Sequence, residues 1–220
     1  MAFFSQEIYT LVNSALTDLA ASQATGKTPK NALSEAHYFA AWITTAIKNK
    51  RFDSILLETL KDWQKQVRSL NKNARLKEQF IHLQHCYKQI LDEQNQVKNI
   101  DKSQLIQLFS ALESKDWLVT TDLVVGDRLN RHSGGKNSLI VCVQQLNDCF
   151  DEQQILTKPL SLYLRGEQQC AIDLAFTENI FLYKKRAAKS NVKFHNEYLI
   201  CAKNDGDSLP ELPSNILQQP

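Results

Sequence analysis

The sequence is poor in three residue types and has no long apolar run. Its 220 residues include 6 glycines, 5 prolines and 1 methionine, whereas glutamine, asparagine and lysine are abundant. No stretch holds eighteen consecutive apolar residues, so we expect no segment to cross a membrane. The first residues have no basic stretch followed by an apolar run, so we expect no signal peptide. We therefore expect a cytoplasmic protein. A peripheral position at the inner membrane would require a complex that holds it there.

Charge and cysteine spacing indicate an ordinary globular protein. The 26 Lys and Arg residues nearly balance the 24 Asp and Glu residues, for a formal charge of +2 at pH 7. This balance favours neither a globally basic nucleic-acid-binding protein nor an acidic tail. The 5 cysteines are an odd number and contain no CxxC pair. We expect reduced, buried thiols, as in a cytosolic protein, and no cofactor or metal.

Apolar residues at helical spacing run through the first half of the chain. The series over residues 76–97 predicts an amphipathic helix long enough to be the spine of a bundle. The same spacing predicts four more helices, which begin near Ser5, Asn31, Asp53 or Ser54, and Asp101. With Gln104, Asp101 matches the capping-box pattern. Near Asn71 the apolar phase slips, and the pattern leaves open a tight hairpin or one bent helix.

From Trp117 onward β-branched and alternating patterns replace the helical spacing. Residues 117–125 predict a strand, and residues 139–143 predict either a short strand or the start of a helix. After Pro159, four short segments, of which residues 170–176 are the second, predict an antiparallel meander. We therefore predict an α+β fold with a helical bundle over residues 1–115. A smaller β-rich part over 116–203 packs on it, and 204–220 form a flexible tail.

Residues 21–28, Ala-Ser-Gln-Ala-Thr-Gly-Lys-Thr, match a relaxed Walker A pattern in which alanine replaces the first glycine. A phosphate-binding loop follows a buried strand and opens a helix, so that backbone N–H groups surround the phosphates. Here the segment follows an amphipathic helix and precedes Pro29, which has no N–H group. We interpret it as the C-terminus of a helix, with Gly26 in the left-handed conformation.

His82 and Cys86 lie four residues apart on the central helix and could reach one metal ion from the same face. Zinc requires one or two further ligands, and no second pair of ligands stands at a comparable spacing. Both residues adjoin the apolar seam of this helix. We therefore favour partly buried polar side chains over a metal site.

Residues 131–137, Arg-His-Ser-Gly-Gly-Lys-Asn, contain the one glycine pair of the sequence. Their backbone N–H groups could bind an anion, with Arg131 and Lys136 adding positive charge. A catalytic interpretation needs Ser133 or His132 beside an orienting carboxylate. No GxSxG or similar framework is present, so a surface loop is the simpler interpretation.

Basic residues follow one another at helical spacing after residue 60, at Lys61, Lys65, Arg68, Lys72 and Arg75. They form one stripe if the helix continues through Asn71. A second basic cluster spans residues 184–193. Aromatic residues do not interleave with these cations as a base-stacking surface requires. We favour a solvated face, then an acidic protein partner, then nucleic acid.

The last residues carry large aliphatic side chains in a segment that otherwise reads as disordered, at Leu209, Leu212, Ile216 and Leu217. Disordered segments usually lack such residues. The segment either docks on another subunit or packs back on its own domain, and the sequence favours neither.

No enzyme framework emerges, so we predict a non-enzymatic adaptor subunit of a larger bacterial assembly, whose partners are other protein subunits. The alternatives are a nucleic-acid-binding regulator that uses residues 61–75 and a small enzyme with its site at residues 131–137. The Gln/Asn/Lys-rich composition and the helical-plus-β layout resemble accessory proteins of type IV secretion (Dot/Icm-like) coupling complexes. The resemblance implies an adaptor that helps to recruit secreted proteins. No residue motif carries it, so it assigns no functional residue.

Overall fold

The computed structural model describes residues 3–126, 129–130, 133–185 and 190–214. Helices fill the first part of the chain and a five-stranded mixed sheet the second, so the predicted α+β class is confirmed. The described residues divide into two compact units, which we call the first unit (residues 3–96) and the second unit (residues 97–214).

The described part of the first unit is helical. Its helices are α1 (Phe4–Ala24), α2 (Ala32–Lys48), α3 (Leu57–Leu70) and α4 (Leu76–Ile90), with 3₁₀ turns at Ser54–Leu56 and Asn71–Ala74. Helix α1 packs on α4 and α2 packs on α3. The Phe80 ring lies 5.1 Å from the Phe39 ring and 4.7 Å from the Trp63 ring, between centroids, which ties α4 to both neighbours. No helix of the described residues has the length and apolarity to span a membrane.

Helix α4 is shorter than the apolar series that predicted it. It buries Leu83 and Tyr87 as expected, but it ends at Ile90 instead of near residue 97. Leu91 has extended backbone angles, and the Asp92 carboxylate accepts hydrogen bonds from the N–H groups of Gln94 and Gln96. This local turn competes with helix continuation, as short acidic side chains often do.

Helices α3 and α4 are separate helices. Asn71 and Arg75 both have positive φ, +49° and +48°, at the two ends of the intervening 3₁₀ turn. Left-handed residues interrupt the right-handed helical path. The predicted basic stripe therefore does not continue along one helix, because Lys72 and Arg75 follow the end of α3.

The second unit is a sheet with helices. Its elements are α5 (Lys102–Ser114), β1 (Leu118–Leu123), β2 (Ser138–Cys142), α6 (Val143–Asp148), β3 (Leu160–Arg165), α7 (Gln168–Thr177), β4 (Tyr183–Lys184) and β5 (Asn196–Ile200). The strand order is β1-β2-β3-β5-β4. Strands β1 and β2 are parallel, and the other neighbours are antiparallel. Residues 139–143, which the pattern left open, complete β2 and begin α6.

Residues 170–176 form part of helix α7, so the prediction of a strand there is wrong. The residues that α7 buries are Ala171, Ile172, Ala175 and Phe176, a helical spacing. The apparent alternation arose because Cys170 and Leu174 are also apolar, although they are only partly buried. A short apolar segment can fit both the helical and the strand spacing of apolar residues, and the tertiary packing selects the helix here.

The boundary between the units differs from the predicted one. The division falls between Gln96 and Val97, instead of after residue 115, because α5 contributes Leu105, Leu108 and Leu112 to the core of the second unit. The capping box that opens α5 is present: the Asp101 carboxylate accepts from the Gln104 N–H, and the Gln104 side chain bonds back to the Asp101 N–H. That part of the prediction is confirmed.

Residues 204–214 pack on the second unit, which corrects the prediction of a flexible tail from residue 204. The Glu211 N–H donates to the Leu182 carbonyl at 2.8 Å. The Ser214 N–H donates to the Asp173 carboxylate at 2.7 Å. Leu209 is half-buried. Backbone pairing thus satisfies polar groups that an extended tail leaves to water.

Of the other three aliphatic tail residues, Leu212 lies within the described part of the chain. Leu212 is half-buried, and its carbonyl accepts a hydrogen bond from the Gln169 side chain at 3.0 Å. Ile216 and Leu217 lie outside the described residues. The described half of the tail therefore packs on its own unit.

Candidate interaction surface

The five cations of the predicted stripe are all exposed, but they lie on two different elements. Helix α3 carries Lys61, Lys65 and Arg68, whereas Lys72 and Arg75 belong to the turn after it. Lys61 pairs with Glu58 at 2.7 Å, and Arg75 lies 3.8 Å from Glu78. Such exposed pairs contribute little to stability. The cations are therefore available to a partner.

An apolar cavity of about 300 Å³ opens where α2 ends and α3 begins. It is lined by Ala46, Ile47, Lys50, Phe52, Asp53, Ser54, Leu57 and Leu60. The local sequence builds it in two steps. Lys50 adopts a φ of +49° after the end of α2, which turns the chain, and the Asp53 carboxylate then accepts the Ile55 N–H at 2.9 Å. Asp53 thereby caps the 3₁₀ turn that leads into α3.

Large aliphatic side chains remain exposed at Leu57, which lines this cavity, and at Ile55, which follows the lining residue Ser54 in sequence. Ile55 is 37% exposed and Leu57, which lines the cavity, is 36% exposed, while Ala46 and Leu60 are buried. Apolar surface that water contacts at a concave site is a common mark of an interaction site. We call the lining residues together with Ile55 the docking groove.

The docking groove adjoins a basic face of α3. At 100° per residue, Leu57, Lys61 and Arg68 fall within roughly 40° of one another around the helix axis. An apolar anchor site is thus followed along α3 by positive charge. The structure brings Lys61 and Arg68 together with an apolar groove that the sequence analysis did not identify. A sequence feature could have indicated the groove: two large aliphatic residues, Ile55 and Leu57, flank the buried Leu56 just after the Asp53 cap.

A larger hollow of about 590 Å³ lies along α1 in the same unit, and its character is different. Its lining is mostly neutral and polar, including Gln6, Thr10, Asn13 and Gln94. The Gln6 side chain already donates to the Asn95 carbonyl at 2.9 Å. A polar hollow in contact with water has no driving force for apolar binding. The docking groove is therefore the better interaction site.

The metal hypothesis for the central helix gains no support from the structure. Within the described ranges, no group of three His, Cys, Asp or Glu side chains could hold a metal ion. Burial raises the pKa of the Cys86 thiol to about 12. A metal ligand must be a thiolate, and this environment keeps the proton on sulfur. Burial also lowers the pKa of His82, and electrostatic repulsion from His85 acts in the same direction.

The glycine-pair loop is described only in part, since Arg131 and His132 lie outside the described residues. Ser133 is buried, and Lys136 forms an ion pair with Asp116 at 2.7 Å. Gly134 and Gly135 both have positive φ, which fits a turn. Anion binding or catalysis by this loop therefore stays a prediction.

Two buried polar clusters lie on one face of the sheet in the second unit, and the sequence analysis missed both. Ser138 Oγ lies 2.9 Å from His195 Nε2, and His195 Nδ1 donates to the Lys193 carbonyl at 2.9 Å. Glu197 accepts from Ser161 and from Lys185, each at 3.0 Å. Their partners are far apart in sequence, which is why no local pattern revealed them.

The Ser138–His195 pair resembles a nucleophile beside its base, but it is closed to substrate. The Nδ1–H bond to a carbonyl leaves Nε2 as an acceptor, so the serine hydroxyl donates to it. Burial lowers the pKa of His195, which favours the neutral ring. Ser138 is 2% exposed and His195 is 5% exposed. We interpret the pair as a structural link between β2 and the segment before β5.

The Walker-like segment forms the end of α1, as the sequence predicted. Helix α1 ends at Ala24, and Gly26 has a φ of +75°. The hydroxyl groups of Ser22 and Thr28 bond to each other at 2.7 Å. Helix C-termini carry partial negative charge, which disfavours phosphate.

Comparison with known proteins identifies a family. A family model described as "Protein of unknown function (DUF2913)" matches residues 3–213. No curated protein matches the chain, and neither does any solved structure. Because the family match covers nearly all of the sequence, the chain belongs to the DUF2913 family.

Proposed function

We propose that this chain is a non-enzymatic adaptor subunit that holds an acidic, amphipathic segment of another protein in its docking groove. The observation that carries the proposal is the continuity between the apolar cavity at Leu57 and the basic face at Lys61 and Arg68. The assembly we propose is a bacterial one, reached from the cytoplasm. The Gln/Asn/Lys-rich composition and the helical-plus-β layout of the chain favour a type IV secretion apparatus as that assembly.

The two parts of the groove have different roles in binding. An aliphatic or aromatic anchor that enters the cavity gains about 1.5–3 kcal/mol from burial. The exposed cations orient an acidic partner and speed its association more than they raise affinity. A partner segment with one large apolar residue beside Asp and Glu residues fits both requirements.

Affinity capture from native cells tests the proposal with matched variants. The test variant carries Ile55→Asp and Leu57→Asp, which places charge at the groove. The control carries Leu33→Asp and Ile106→Asp, at side chains that are 46% and 54% exposed elsewhere. Far-UV circular dichroism verifies that both variants fold. We expect at least one protein partner to be lost from the test variant and retained by the control.

Two results would contradict the proposal. One is capture of the same proteins by the test variant and the wild type. The other is recovery of nuclease-sensitive material alone, without any protein partner. Truncation after Lys203 is unsuitable here, because residues 204–214 belong to the folded second unit.

A further inference from the structure

A strained, exposed aromatic residue lies at the turn before β5. The His195 N–H donates to the Val192 carbonyl at 3.2 Å, which closes a turn with Lys193 and Phe194 at its centre. Phe194 has a φ of +66° and is 65% exposed. Bulky residues rarely adopt this conformation, for which glycine or asparagine is suited. Such strain concentrates at functional sites.

Two cations lie over the ring at cation–π distance. The Arg165 guanidinium carbon lies 5.8 Å from the ring centroid of Phe194, and the Lys193 ammonium lies 4.8 Å from it. Neither cation forms an ion pair within 4.0 Å with a carboxylate of the described residues. We call Arg165, Lys193 and Phe194 the aromatic turn. No local sequence pattern indicates this cluster, because Arg165 comes from β3 and the other two residues from the turn before β5.

The aromatic turn is hydrogen-bonded to the loop that contains Leu129. The Leu129 N–H donates to the Asn191 carbonyl at 2.8 Å, and the Lys193 N–H donates to the Leu129 carbonyl at 2.9 Å. Lys136 and Lys185, which belong to the two loops that these bonds join, are paired with carboxylates of other segments. The backbone hydrogen bonds of Leu129 hold the aromatic turn in place.

We propose that the aromatic turn binds single-stranded nucleic acid. On binding, Lys193 and Arg165 move from the ring to the adjacent phosphates, and the Phe194 ring stacks on an unpaired base. An exposed aromatic ring beside cations is what single-stranded recognition uses. A duplex keeps its bases stacked and offers none to the ring. A lipid surface fits less well, since cations level with the ring would enter the acyl region with it. This activity lies in the second unit and is separate from the docking groove.

Fluorescence anisotropy of the full chain tests this proposal. The probes are labelled 20-residue oligo-U and oligo-dT, a 20-base-pair duplex, and poly-glutamate as competitor. In the variant Phe194→Asn, asparagine tolerates the left-handed backbone, so the turn is kept while the ring is removed. We expect a single strand to bind and the variant to bind about tenfold more weakly, as loss of one stacked base predicts. Lys193→Gln should reduce the salt slope of log K by about 0.7.

Matched controls and a second ring variant make the outcome decisive. Ile106→Ala and Lys115→Gln alter an exposed apolar and an exposed basic residue of the same unit, and we expect both to bind as the wild type does. Phe194→Leu keeps an apolar side chain but cannot stack, so it should lose as much affinity as Phe194→Asn. Absence of single-strand binding, equal affinity for the duplex, displacement by poly-glutamate at equal charge, or full affinity in Phe194→Leu would each overturn the proposal.

Discussion

His195 is held on both sides by hydrogen bonds at a site nearly closed to water. Burial, with the charge of Arg165 nearby, holds its pKa below the ordinary value, although the bond to the Lys193 carbonyl acts in the other direction. The folded protein thus prefers the neutral ring, whereas the unfolded chain binds a proton near pH 6.5. The stability from this residue is present above that pH and is lost as the pH falls below it.

We predict that His195→Gln weakens the pH dependence of stability. In the wild type, the free energy of unfolding should fall between about pH 7 and pH 5, because the unfolded chain gains the proton more readily. Glutamine cannot bind that proton but can still accept from Ser138. Urea unfolding at several pH values measures the difference. Parallel curves for wild type and variant would show that His195 does not carry this dependence.

Gly166 is required by both its conformation and its surroundings. Its φ is +100°, and a Cβ there would lie 1.9 Å from Asn137 Oδ1. That oxygen accepts the Glu167 N–H at 3.1 Å. We predict that Gly166→Ala destabilises the protein by about 1–3 kcal/mol through backbone strain, and more if Asn137 is displaced. Gly126→Ala is the control, since nothing lies within 4 Å of its Cβ position. Equal thermal unfolding of the two variants would contradict this account.

At the scale of elements, local sequence signals predicted the capped helix starts correctly, but they predicted the strands less accurately. Asn31, Asp53 and Asp101 cap the elements that they were expected to begin. Caps and helical periods depend on neighbours within four residues, so the sequence contains the information. The strand expected over residues 170–176 became α7, because the partners that select between the two periods are distant in sequence.

We predict that Asp101→Ala lowers the free energy of unfolding by about 1 kcal/mol, the usual effect of losing an N-cap. Asp101→Asn should retain most of the stability, because asparagine also accepts from the N–H groups of Ser103 and Gln104. The hydrogen bond from the Ser103 side chain lowers the pKa of Asp101 against the opposing effect of its partial burial, so the carboxylate cap weakens only in acid. Chemical denaturation of the three proteins at pH 7 measures the effect.

The segment 208–214 should act as part of the second unit when it is deleted. Truncation after Asp207 removes three hydrogen bonds, to Leu182, Asp173 and Gln169. We predict a loss of about 3 kcal/mol, at roughly 1 kcal/mol per hydrogen bond. Truncation after Ser214 keeps all three and serves as the control. Thermal unfolding that is the same in both truncations would indicate that these contacts do not hold the segment.

At the scale of the whole molecule, each unit closes its own core. In the first unit, α4 packs on α1 and contacts α2 and α3 through aromatic rings. In the second, α5 and α7 cover one face of the sheet. The two proposed activities are correspondingly separate, with protein docking assigned to the first unit and nucleic-acid binding to the second.

We predict that residues 1–96 fold without the rest of the chain. Helices α1–α4 pack on one another, and about 100 residues are enough for a stable core. Far-UV circular dichroism should show a helical spectrum with a cooperative thermal transition. Residues 1–115, which end at the boundary expected from the sequence, should be less soluble because they expose the apolar face of α5. A non-cooperative transition for residues 1–96 would contradict the division at Gln96.

The sequence by itself determined the α+β class, the caps at Asn31, Asp53 and Asp101, the C-terminus of α1 at the Walker-like segment and the exposure of the five cations. These depend on residues close together in the chain. Tertiary structure alone decided the strand order, the helical state of residues 170–176, the packing of residues 204–214, the docking groove and the aromatic turn. Each of these brings together residues that are separated in the chain, such as Arg165 with Phe194, and such contacts form only when the core has closed.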